Sequence, residues 1–150
     1  LQEDVLAKNR GKDKLNILIV SHPYVIYDSF FGKNITKYLE ELGALNIFAD
    51  VVEKESNDWK YFSKSIYWKY SKEMLNNIKK YMDKVDGIIF VSVFPCGLDA
   101  LVNEICTGRL NDTPSINIVI DELESDTGQK TRLESFVDIL NERKKAKIYG

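Results

Sequence analysis

The sequence predicts an α/β domain in which helices cover both faces of a doubly wound, four-stranded parallel sheet. Three observations carry that expectation. Short continuous apolar runs at 16–20, 87–93 and 116–120 are too brief for helices and read as strands buried on both faces. Between the strands lie stretches with apolar residues at helical spacing. Strands and helices alternate as β-α-β-α-β-α-β-α, a pattern that implies right-handed crossovers and three layers, α/β/α. The commonest order for four such strands is 2-1-3-4, with the topological switch point between the first and third.

Each element has its own local signal. Residues 1–14 are charged and poor in apolar side chains, so they read as a leader or linker remnant ahead of a single domain at 15–150. Asn16-Ile17-Leu18-Ile19-Val20 forms the first strand. Ile35, Tyr38, Leu39 and Leu42 follow at i, i+3, i+4 and i+7, and Gly43 supplies the C′ stop. Asn46 to Val52 reads as a weaker second strand. Asn57 or Asp58 caps a long helix whose stripe is Phe62, Ile66, Tyr70, Met74, Ile78 and Tyr81. Gly87 to Val93 is the clearest strand, and a short helix is expected from Leu98 to Ile105. Pro114 introduces the strand Ile116–Ile120. The last helix turns Leu133, Phe136, Val137 and Leu140 inward; Thr131 and Glu134 have capping-box spacing, with an earlier start near Ser125 as the alternative.

Composition removes several function classes. A net charge of -2 leaves no basic excess to neutralise phosphates, so nucleic acid is not an expected partner. No apolar run approaches the roughly 20 residues of a membrane-spanning helix. Two cysteines, Cys96 and Cys106, suit a reducing cytoplasm better than a disulfide scaffold. The chain opens on Leu1 rather than Met, and reads as a piece of a larger protein.

The switch point selects the loops that carry chemistry. Ser21 to Asp28 follows the first strand and brings His22, Tyr24, Tyr27 and Asp28. It lacks the Gly-x-Gly-x-x-Gly fingerprint, and no Walker A sequence occurs in the chain. Phe94 to Asp99 follows the third strand and places Cys96 just before a helix N-terminus, where the dipole favours a thiolate. Cys96 reads equally as a small residue in a tight turn beside Gly97, whereas Cys106 reads as packing. Asp121, Glu122, Glu124 and Asp126 follow the fourth strand; they cap a helix or offer oxygens to a hard cation. Arg132 pairs with one of these carboxylates or points to an anionic ligand. The aromatics Trp59, Tyr61, Phe62, Tyr67, Trp68 and Tyr70 are too dense for one helical stripe and suggest docking to another domain or subunit.

Three stretches together resemble a known family. Pro23-Tyr24 with Tyr27-Asp28 looks like its "GRPYH-x-YD" loop, and Cys96-Gly97-Leu98-Asp99 resembles its "GCGPDS" turn. Ile120-Asp121-Glu122, Thr127-Gly128 and Thr131-Arg132-Leu133-Glu134-Ser135-Phe136 are similar to its "IDEHxxxAGxxTRxEAF" segment. The group is the 2-hydroxyacyl-CoA dehydratase-like proteins, including the large CoA-substrate-specific enzyme activases, and the likeness runs from about residue 15 to 140. The chain departs from the pattern at Ser21, His22, Leu98, Ala100 and Leu123.

The resemblance implies a Rossmann/flavodoxin-like domain of a protein that dehydrates 2-hydroxyacyl-CoA esters with iron–sulfur clusters, a separate ATP-hydrolysing unit supplying the electron. It implies Cys96 as one ligand of a [4Fe–4S] cluster completed by cysteines elsewhere in the full polypeptide. It also implies His22, Tyr24, Tyr27, Asp28, Asp121, Glu122 and Arg132 as candidate contacts for an acyl-CoA type substrate. The fragment by itself is expected to bind no cluster and to show no turnover. Other domains or subunits of the parent protein are the expected partners, in the cytoplasm. Two alternatives stand beside this reading. One is a non-catalytic docking module of the same fold; the other is a flavodoxin-like binding domain, which the first loop disfavours because it lacks a Ser/Thr/Gly-rich phosphate cradle.

Overall fold

A computed structural model of the protein describes residues 14–22, 25, 27, 32–49, 58–61, 69–93, 106, 109–110, 112–120 and 126–149. The elements are β1 (Leu15–Val20), α1 (Gly32–Glu41), β2 (Ala44–Phe48), a 3-10 turn (Asp58–Tyr61), α2 (Lys69–Tyr81), β3 (Gly87–Val93), β4 (Ser115–Ile120) and α3 (Asp126–Tyr149). The strands form one parallel sheet in the order β2-β1-β3-β4, as the alternation of elements predicts.

All six residues of β1 are buried, because strands lie on both its sides and helices on both its faces. Successive side chains point to opposite faces, and the core divides accordingly. Leu18, Val20, Ile47, Ile88 and Phe90 face α2, where Met74, Leu75, Ile78 and Tyr81 meet them. Leu15, Ile17, Ile19, Ile89, Val91, Ile118 and Ile120 face α1 and α3, and pack against Ile35, Leu39, Leu133, Phe136, Val137 and Leu140. Each large aliphatic side chain so buried contributes about 1.5–3 kcal/mol.

Helix ends follow their local chemistry. α1 stops where Gly43 takes φ +84°, a left-handed conformation that other L-residues adopt at a cost. The Asn46 amide donates to the Thr36 carbonyl at 3.0 Å and ties β2 back to α1. At the amino edge, Asp86 N–H donates to the Asn16 carbonyl at 2.7 Å, while Asn16 N–H donates to the Asp86 carboxylate at 2.8 Å. The Lys144 ammonium lies 3.7 Å from that carboxylate and donates to the Lys14 carbonyl, so α3 is fastened across the same edge.

Several boundaries differ from expectation. β2 occupies 44–48 rather than 46–52, with a turn at Ala49. Its pairing partner β1 ends at Val20, and the Ala49 N–H donation to the Ile19 carbonyl closes the ladder. The helix expected from Asn57 or Asp58 begins instead as a 3-10 turn at 58–61, with α2 at 69–81; Phe62, Ile66 and the rest of 62–68 lie outside the described residues. α3 starts at Asp126, in agreement with the alternative start near Ser125, so Thr131 and Glu134 are exposed positions inside the helix and form no capping box. The helix expected at 98–105 and residues 1–13 also lie outside the described residues. Among the described residues, no helix is long and apolar enough to cross a membrane.

Candidate functional site

Because the strands are parallel, Val20, Phe48, Val93 and Ile120 all end on one edge of the sheet. β1 sits between β2 and β3, so the crossovers diverge at the β1/β3 boundary, the place on such a sheet where ligands usually bind. Ser21 and His22 follow β1 directly at that edge. Ser21 is buried and His22 half-buried. The His22 carbonyl accepts the Val25 N–H at 3.0 Å, which turns the loop back and drives Val25 into the core against the α1/α3 face. Tyr27 then emerges, 57% exposed, with its ring tilted 38° to Phe48 and centred 6.2 Å from it. An exposed aromatic beside a strand end is a platform for a planar or apolar ligand group.

The neighbouring wall is held by a contact that apolar periodicity does not reveal. Asn77 is buried on α2, and its amide donates to the Ala49 carbonyl at 2.6 Å. A buried carbonyl without a donor is costly, so Asn77 fixes the carboxyl end of β2 next to β1. An asparagine on the apolar face of a helix is the sequence signal for such a clamp.

The candidate residues divide into three groups. His22 and Tyr27 stand at the carboxyl ends of β1 and β2. Arg132 stands elsewhere: its guanidinium donates to the Asn117 carbonyl at 2.6 Å, at the outer edge of β4. Tyr24, Asp28, Cys96, Asp121 and Glu122 lie outside the described residues. Cys106 is fully buried in the core on the α2 face, and burial pushes its thiol up to about 12, as suits a packing residue. Among the described residues, no three His, Cys, Asp or Glu side chains cluster as a metal site.

A concavity lies on the α1/α3 face of the sheet. A groove of about 280 Å³ runs between α1 and α3, with Ile35 and Leu133 in its lining and Asn34, Lys37, Gln129 and Lys130 around it. Tyr38 donates from its hydroxyl to the Glu134 carboxylate across the groove. That bond holds the phenol protonated, and with partial desolvation and the charges of Glu134 and Glu41 it pushes the Tyr38 pKa up to about 12. The periodicity reads Tyr38 as core, yet its hydroxyl needs a polar partner.

No family model, curated protein or solved structure matches this chain.

Proposed function

We propose that this chain is the cysteine-bearing α/β portion of a 2-hydroxyacyl-CoA dehydratase or CoA-enzyme activase-like protein. One observation carries the reading. The order 2-1-3-4 sets the switch point between β1 and β3, and the segments that resemble the family begin at the carboxyl ends of β1, β3 and β4. Sequence resemblance and topology thus select the same edge.

In this reading Cys96 gives one thiolate to a [4Fe–4S] cluster whose other ligands lie elsewhere in the parent protein. The bound cluster supplies one-electron chemistry to the dehydration. His22 and Tyr27 bind part of an acyl-CoA type substrate, Tyr27 offering its exposed ring, and Tyr24, Asp28, Asp121 and Glu122 complete the candidate set. Two cysteines and no basic excess fit a reducing, cytoplasmic setting with protein partners.

The test uses the polypeptide that carries this domain, purified without oxygen as parent and as Cys96→Ala. The parent is expected to show stoichiometric iron and sulfide with a broad charge-transfer band, and the variant to lose the cluster and its electron-paramagnetic signal. In the isolated chain, Cys96 is expected to alkylate with an apparent pKa below the roughly 8.5 of a free thiol. An intact cluster in the variant, with Cys96 labelled only on denaturation, makes Cys96 structural and leaves the docking module as the account.

A further inference from the structure

The outer edge of β4 is built in a way that specifies what it takes. Ile88 N–H donates to the Pro114 carbonyl, so residues 114, 116, 118 and 120 turn their backbone groups toward β3. Ser115, Asn117 and Val119 therefore turn theirs outward, and the Arg132 bond to the Asn117 carbonyl agrees with that parity. Among the described residues, Arg132 is the one side chain bonded to these outward groups. Ser115 and Asn117 are exposed, and Val119 is 41% exposed. An edge of this kind is a template for another strand.

α3 overhangs the edge. Arg143 donates to the Asp112 carbonyl at 2.9 Å, so of two arginines on one side of α3, Arg132 reaches β4 and Arg143 the turn before it. Ile139 lies between them on the same side and is 52% exposed. Asp138 and Glu142 lie roughly 80–120° further round the helix, and Asp112 is the exposed acid at the amino end of the edge. The centre of the edge is cationic, with one apolar side chain on each face: Ile139 on the helix side and Val119 on the other.

We infer that the β4 edge is a strand-addition site for an extended, acidic segment of a partner protein. The incoming backbone pairs with Ser115, Asn117 and Val119. A carboxylate on its helix-facing side takes the guanidinium donors that Arg132 does not spend on Asn117, with β-branched residues two positions away against Ile139. A second copy of this chain is the wrong occupant. Antiparallel self-pairing centred on Asn117 sets Arg132 against its own copy across the two-fold axis, like charge against like.

The probe is a fluorescein-labelled, amidated peptide, Thr-Val-Thr-Glu-Thr-Val-Thr, followed by anisotropy and by the amide signals of the whole chain. Binding is expected to shift the Ser115, Asn117 and Val119 amides. Replacing the peptide's Glu by Gln is expected to weaken it about five- to tenfold, and Arg132→Ala to abolish that discrimination. Val119→Pro removes only an outward N–H, so the circular-dichroism spectrum stays and binding goes. Peptide N-methylated at alternate amides is expected not to bind, whatever the variants do. Equal affinity for the Glu and Gln peptides, binding by Val119→Pro or by the methylated peptide, unmoved edge amides, or a concentration-dependent dimer protecting those amides each overturns the inference.

Discussion

Gly87→Ala tests how closely α3 is seated on the sheet. Gly87 opens β3 on the face that meets α3, and a Cβ there would lie 2.6 and 2.9 Å from the two methyls of Leu140 and 3.0 Å from the tip of the Phe136 ring. Both neighbours are side-chain ends, but Leu140 and Phe136 are themselves buried, so any shift must displace other core side chains. Gly87 is not in the left-handed region, so the backbone accepts alanine and the whole penalty is steric. Overpacking of this kind costs about 1–3 kcal/mol. Reduced freedom of the unfolded chain returns about 0.4–1 kcal/mol. The net expectation is a loss of about 1–2 kcal/mol, read as a drop in urea midpoint at constant m, or in Tm of about 2–8 °C. Leu140→Ala alone should cost about 2–5 kcal/mol through its cavity. In the double variant the new methyl enters the vacated space, so the two losses should fall short of their sum by about 1 kcal/mol or more. A Gly87→Ala protein as stable as the parent, or strict additivity in the cycle, refutes the close approach.

Three further outcomes follow from local chemistry. Gly43→Ala has room but the wrong φ, and should lower stability by about 1–2 kcal/mol in thermal melts, without altering the folded spectrum. Burial raises the Cys106 thiol from 9.0 to about 12, so the folded state retains a proton that the unfolded state releases. Its contribution is complete below about pH 9 and is lost as pH climbs toward 12, with a limiting slope of about 1.4 kcal/mol per unit; urea titrations between pH 8 and 11 should fall less steeply for Cys106→Ala. Glu134→Gln removes the carboxylate that holds the Tyr38 phenol protonated, so the Tyr38 pKa should fall from about 12 toward 10.0, as followed by the ring-carbon shifts of labelled tyrosine.

The fold was legible because its signals are local and repeated. β1 and β3 announce themselves as unbroken apolar runs, and the alternation with helices leaves few arrangements for a parallel sheet. Boundaries were less legible where two signals compete. Val51 and Val52 extend the apolar run past Phe48, yet β2 ends where its partner β1 ends. Thr131 and Glu134 satisfy a capping spacing by coincidence, since α3 already runs from Asp126. The carboxyl edge was legible as a consequence of strand order, and His22 and Tyr27 lie at that edge. Arg132 was legible as a special residue, but its bond to the Asn117 carbonyl depends on which β4 carbonyls face outward, a parity set by pairing with β3. Asn77 and Glu134 act on Ala49 and Tyr38, partners distant in sequence, and one-dimensional spacing carries no trace of either contact.

The central position of β1 has a consequence for biosynthesis. β1 lies between β2, which follows it closely, and β3, whose preceding Asp86 stands 70 residues beyond Asn16. At ordinary elongation rates that interval is roughly 4–14 s. Throughout it, the growing polypeptide offers the β3-facing side of Leu15–Val20, a strand buried along its whole length in the finished fold, with its mate still being made. β2 and α1 emerge within the interval, and in the finished fold they cover one flank and one face of β1. The other flank closes only when Gly87–Val93 leaves the tunnel. Substitutions that loosen the Asn46–Thr36 tie or the Gly43 stop therefore act first on the yield of newly made protein, ahead of any effect on the finished fold.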